Sequence, residues 1–142
     1  MAPTTNEWIN PIEGEVVVTS PFGPRLNPVL AVEEFHNGID IAANIGTNVL
    51  AVKSGTIIEI RESETFGKML TFVTESGFRV MYAHLSEVKA EVGDNVLQGQ
   101  IIARSGNTGL STGPHLHYSV WAGDELANPI KFITKQHGEV ID

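Results

Sequence analysis

Gly106-Asn107-Thr108-Gly109-Leu110-Ser111-Thr112-Gly113-Pro114-His115-Leu116-His117-Tyr118-Ser119-Val120-Trp121 falls into two halves of different character. Three glycines, a proline and small hydroxyl residues make the first half a turn region defined by its backbone. From His115 to Trp121 the chain turns apolar and β-prone, which predicts a strand. Residues two apart on a strand share a face and lie roughly 6.5 to 7 Å apart. His115 and His117 should therefore project side by side from one face, at the mouth of a rigid loop. Two imidazoles so placed suit a metal, a proton-transfer pair, or both.

The 142 residues fit one domain, long enough to bury a proper core. No apolar run is long enough to span a membrane as a helix. Fourteen glycines and seven prolines, without a sustained helical period, favour short strands joined by turns. Seventeen acidic against nine basic residues give a net charge of −8, which argues against a nucleic-acid partner and against capture by an anionic surface. With no cysteine, any metal site must use histidine and carboxylate. The first residues, Met1 to Trp8, lack the basic and apolar regions of a signal peptide. The chain is then either cytoplasmic or a segment of a longer exported protein.

Residues 1–11 read as a polar lead-in, 12–135 as the domain and 136–142 as a tail. Glu15 to Thr19 predicts a short strand, closed by a turn over Ser20 to Pro24, with a loop from Arg25 to Glu34. In His36-Asn37-Gly38-Ile39-Asp40-Ile41-Ala42 the alternation of Ile39 and Ile41 sets Asp40 on the face opposite the core. Val49 to Val52, Gly55 to Arg61, Met69 to Thr74 and Phe78 to Leu85 predict four more strands, with a hairpin at Glu75-Ser76-Gly77. Val92 to Ile102 reads as strand, turn, strand. The one helical segment expected is a short turn after Asn128-Pro129. The fold class is all-β, a largely antiparallel sheet with a loop-walled groove.

Of the five histidines, His137 sits in a polar tail and reads as solvated. The other four come in combinations: His36 shares a segment with Asp40, His115 shares a strand face with His117, and His84 follows Tyr82-Ala83. Zinc without cysteine is held by three histidine or carboxylate ligands, leaving a fourth place for water. Spacing alone permits that site and also a closed one in which His36, Asp40, His115 and His117 all bind.

His36-x-x-x-Asp40 in its Gly-Ile-Asp-Ile setting, Tyr82-Ala83-His84-Leu85 and Gly113-Pro114-His115-Leu116-His117 together resemble the lysostaphin-type (LytM-like) zinc metallopeptidases. So do Phe22-Gly23-Pro24-Arg25, Gly46-Thr47 and Gly93-Asp94-x-Val96-x-x-Gly99-Gln100. The likeness runs from about Ile12 to Pro129, in the family's order. Asn48 stands where a proline is common, and Lys68 where an asparagine often follows glycine; neither is a ligand or catalytic position in the family.

The resemblance implies one zinc per chain, held by His36, Asp40 and His117, with His84 and His115 as the catalytic pair. Tyr82, read as sharing a strand face with His84, and Asn107 in the groove wall are candidate substrate contacts; Arg25 reads as a structural partner of a carboxylate. The implied reaction is hydrolysis of peptide bonds in peptidoglycan cross-bridges or stem peptides. Its setting would be extracytoplasmic or a phage virion, with an export signal, membrane anchor, targeting region or phage segment upstream. Two other functions fit parts of the pattern. One is a zinc-binding but non-hydrolytic scaffold or activator of a cell-envelope complex, although family members of that kind often lose ligands or catalytic histidines and this chain keeps them all. A biotinyl- or lipoyl-type carrier would explain Val92 to Ile102 but leaves the histidines without a role.

Overall fold

The computed structural model describes residues 7–26, 30–111 and 113–133, apart from the side chain of Arg25; His137 and the 136–142 tail lie outside this description. Ten of its strands form one sheet and two form a hairpin beside it, every pairing antiparallel. The sheet runs β1 (Val18–Ser20), β4 (Ile39–Ala42), β11 (His115–Ala122), β8 (Phe78–Val88), β7 (Gly67–Thr74), β6 (Gly55–Ser63), β9 (Asn95–Val96). Strand β10 (Ile101–Ser105) joins β8 to β5 (Asn48–Leu50), and β12 (Glu125–Ala127) pairs with β11. The expected helical segment is a single 3-10 turn at Pro129–Phe132, its entry capped by the Asn128 side chain accepting from Ile130 N–H.

Alternation along the central strands makes two faces. Ile39, Ile41, Val80, Tyr82, Leu116, Tyr118 and Val120 point into the main core with Phe72, Leu70 and Ile57. Each such side chain withdrawn from water contributes about 1.5–3 kcal/mol. On the opposite face Met69, Met81 and Ala83 form a smaller cluster, with Phe66 and Trp121 packed on it. The polar chemistry lies on this second face.

Two sequence expectations are corrected first. Gly23–Leu26 (β2) and Glu33–His36 (β3), read as turn and loop, are the two strands of the separate hairpin; Leu26 and Phe35 are exposed, so no core-facing stripe marks them. Val92 to Ile102 does hold a strand, a turn and a strand, but shifted: Val92 is exposed outside any strand, β9 follows the Gly93-Asp94 turn and pairs with β6, and β10 pairs with β5 and β8. Residues ahead of Ile12 also make contacts with the sheet domain. Trp8 packs edge-on against Phe78 and tilted against Phe132, and Pro11 carbonyl accepts from Leu50 N–H at 2.7 Å.

Strand β8 carries the irregularity that matters most. Leu70 faces Tyr82 while Lys68 faces Leu85, so Met69 alone stands opposite both Ala83 and His84. His84 takes φ 60°, a left-handed conformation uncommon for a residue with a Cβ, and its N–H bonds Phe66 carbonyl at 2.8 Å. Upstream of this bulge the even-numbered residues face the core; downstream Leu85 does. Tyr82 therefore does not share a face with His84. Its ring is fully buried, and its hydroxyl donates to Leu50 carbonyl (2.7 Å) and accepts from Val52 N–H (3.2 Å). That corrects the expectation of a substrate contact: Tyr82 braces β5 from inside. Tyr82→Phe should cost about 1–3 kcal/mol in chemical denaturation, because it orphans two buried backbone groups, while leaving metal content unchanged.

Candidate metal centre

Asp40, at the middle of β4, pairs with His117 on β11, and Ala42 pairs with His115. The ladder thus sets a carboxylate opposite one imidazole and beside the other. His36 arrives from the last position of β3 through the turn at Asn37-Gly38. Gly38 allows that approach: a Cβ there would collide with the Tyr118 carbonyl and the Ser119 hydroxyl. His84 comes from the β8 bulge, its ring centroid 4.7 Å from that of His115 and 6.1 Å from that of His117.

Three atoms converge closely. His36 Nε2 lies 3.2 Å from Asp40 Oδ1 and 3.2 Å from His117 Nδ1, and His117 Nδ1 lies 3.3 Å from Asp40 Oδ1. His36, Asp40 and His117 are all buried. The other nitrogen of each imidazole shows where its proton is. His36 Nδ1 meets Pro21 carbonyl at 2.9 Å, and a carbonyl only accepts, so Nδ1 carries the hydrogen. His117 Nε2 donates to Ser119 Oγ at 2.7 Å, whose own hydrogen goes to Asn37 Oδ1 at 3.3 Å. With both imidazoles neutral, the triangle holds three lone pairs and no proton.

Such a set requires positive charge. Protonating His117 is opposed first by burial, which drives its pKa down despite the carboxylate beside it. Burial also works against charge on Asp40; positive charge at the facing nitrogens of His117 and His36 outweighs it and holds the carboxyl well below the usual carboxylate range. A tetrahedral ion with ligand distances of about 2.0–2.1 Å has edges of about 3.3 Å, close to the spacing found here. The residues present therefore fit a metal ion, and zinc accepts this donor set.

The other two imidazoles are held differently. His84 Nδ1 donates to Thr108 carbonyl at 2.6 Å, and burial, the largest influence, pushes its pKa down to about 4. His115 Nδ1 donates to Gly113 carbonyl at 2.8 Å, with Ser111 Oγ at 3.2 Å. In the neutral tautomer that each anchor selects, Nε2 carries the lone pair; that of His115 lies 3.5 Å from Asp40 Oδ1. Among the described residues the metal-holding group comprises His36, Asp40 and His117 without His115. The five residues singled out from sequence are thus brought together. Tyr82 is not among them, and Asn107 is an exposed loop residue nearby.

Sequence reasoning missed the residues that orient the imidazoles. Ser119 could have been found by extending the two-residue period one step past His117. Thr108 and Pro21 act through backbone carbonyls, which side-chain identity does not signal.

Comparison with known proteins places this antiparallel β domain and its candidate metal centre. The model of peptidase family M23 matches residues 34–129, and the chain belongs to that family. Peptidoglycan DD-endopeptidase ShyA of Vibrio cholerae is 35% identical over 122 residues, covering 85% of this chain and 28% of the relative. The catalytic domain of lysostaphin from Staphylococcus simulans superposes with a TM-score of 0.75 at 35% identity, over 82% of this chain and 91% of that one. A zinc-containing peptidase from Vibrio cholerae gives 0.79 at 32% identity, over 87% and 39%. The chain spans 26–32% of the length of the first curated relatives it matches.

Ser119→Ala leaves the three ligand side chains in place but removes the acceptor for His117 Nε2–H. Zinc affinity in a competition titration should fall about 10- to 100-fold with the fold retained.

Proposed function

We propose that this chain is a zinc-dependent endopeptidase that hydrolyses peptide bonds in peptidoglycan cross-bridges or stem peptides, with one zinc held by His36, Asp40 and His117. The observation that carries this reading is the close triangle of His36 Nε2, Asp40 Oδ1 and His117 Nδ1 beside two imidazoles anchored through Nδ1 on backbone carbonyls. Membership of family M23 and the peptidoglycan endopeptidases among its relatives support the substrate class. Such a substrate lies outside the cytoplasmic membrane, so the activity belongs to an extracytoplasmic or virion setting.

Zinc, when bound, supplies a water of lowered pKa and a Lewis acid for the scissile carbonyl. The protein supplies the proton traffic. His84, neutral and anchored through Nδ1–H, can take a proton at Nε2 without reorienting. His115, anchored on Gly113, presents a second Nε2 beside Asp40. Either imidazole, once protonated, can return its proton to the departing amine. The fixed tautomers mean that neither ring must turn between the two steps, which lowers the reorganisation the reaction requires.

Three variants test the assignment on one preparation of muropeptides, with zinc content and product masses read together. His117→Ala should lose both metal and cleavage. His115→Ala and His84→Ala should keep zinc and most of their thermal stability while cleavage falls at least about 100-fold. A zinc-depleted His115→Ala would instead indicate a closed four-ligand site. A zinc-loaded wild type inert on every muropeptide would leave the scaffold function standing.

A further inference from the structure

The second face of the sheet does not end at the metal centre. A hollow of about 430 Å³ continues along it, bounded by Asn37 and Phe66 at the near end and by Arg79, Trp121, Arg61 and Glu59 farther out. Its near end borders the centre: Asn37 receives the Ser119 hydrogen bond, and the Phe66 ring lies 5.5 Å from that of His117. Met69, Met81 and Thr71, all buried, form its floor.

Two of the four arginines in this acidic chain line the hollow. Arg61 has its Nε 3.7 Å from Glu59, an exposed pair that nearly cancels in charge. Arg79 is different. Its guanidinium sits 4.6 Å from the centroid of the Trp121 ring, its partner across the β8–β11 ladder. Among the described residues it makes no ion pair. Stacking fixes the plane of the fork and leaves its N–H edge for a planar anion. Trp121 lies four residues beyond His117 on one strand face, about 13 Å along the floor. An extended peptide rises about 3.3–3.6 Å per residue, so that distance corresponds to about four residues.

The geometry points to a carboxylate-binding subsite, in which Arg79 stacked on Trp121 takes a free carboxylate of the substrate peptide about four residues from the scissile bond. The inference rests on the proposed peptidoglycan hydrolysis for the identity of the ligand. Arg79 is a specificity residue here, remote from the reacting atoms. Its contribution is selection of peptides that carry an acid at that distance over those in which it is amidated.

The test uses the full zinc-loaded chain and two synthetic cross-linked stem-peptide dimers that differ only in whether that carboxylate is free or a carboxamide. Wild type should favour the free acid about tenfold or more in kcat/KM, mainly through KM, since a hydrogen-bonded charge is worth about that much. Arg79→Gln should bring the ratio close to one while cleaving the amide at the wild-type rate, and Arg79→Lys should restore only part of the preference. Equal cleavage of both dimers by wild type, or an Arg79→Gln that slows both alike, overturns the subsite. Binding of the same dimers to zinc-loaded His84→Ala, followed by calorimetry, separates the two readings. If wild type cleaves neither dimer the hydrolysis fails, and loss or retention of the acid preference in binding still decides the subsite.

Discussion

Three acceptor atoms, His36 Nε2, His117 Nδ1 and Asp40 Oδ1, stand within 3.3 Å of one another with no proton among them. Left to itself that arrangement is repulsive, and a folding chain would relax it by turning a ring. Here no ring is at liberty to turn. Each imidazole is fastened at its far nitrogen, and the carboxylate rises from a strand locked between β1 and β11. The sheet therefore holds a cluster that is complete only with a cation, and the cost of assembling it is met by the large core on the opposite face.

The division of labour between sheet and loops follows from this. Ladder pairing fixes where Asp40, His115 and His117 stand, to the precision of a backbone register. Three backbone carbonyls from two loops and one strand hydroxyl then fix which nitrogen of each ring carries hydrogen: Pro21 for His36, Thr108 for His84, Gly113 for His115 and Ser119 for His117. A loop that contributes only a carbonyl can change its side chains freely, provided its path is kept. Gly67 and Gly109 show the constraint on path: a Cβ on either would collide with the other's strand or loop, displacing the Thr108 carbonyl.

Much of this was legible in the sequence, for definite reasons. Asp40 between Ile39 and Ile41, and His115 and His117 around Leu116, obey a two-residue period, so their common face follows directly. The β2–β3 hairpin was not legible because neither strand buries an apolar stripe. Strand β8 defeated the period outright. One extra residue between Tyr82 and Leu85 reverses which side chains face inward, and the signal for that bulge is tertiary: a carbonyl of Phe66 waiting for His84 N–H. The shared faces of Asp40, His115 and His117 were thus readable from local pattern, while the partners that set the imidazole tautomers depend on long-range closure of loops.

Strand β11 carries two independent messages on alternate residues. Leu116, Tyr118 and Val120 speak only to the core; His117, Ser119 and Trp121 speak only to the groove. Substitutions on one side are thereby screened by packing and on the other by chemistry, with little cross-talk. A scaffold built this way can be re-tuned toward new peptides by drift along the odd-numbered positions farther from His117, without renegotiating the fold at each step. The same wiring lets the metal centre stay constant while the far end of the floor diversifies.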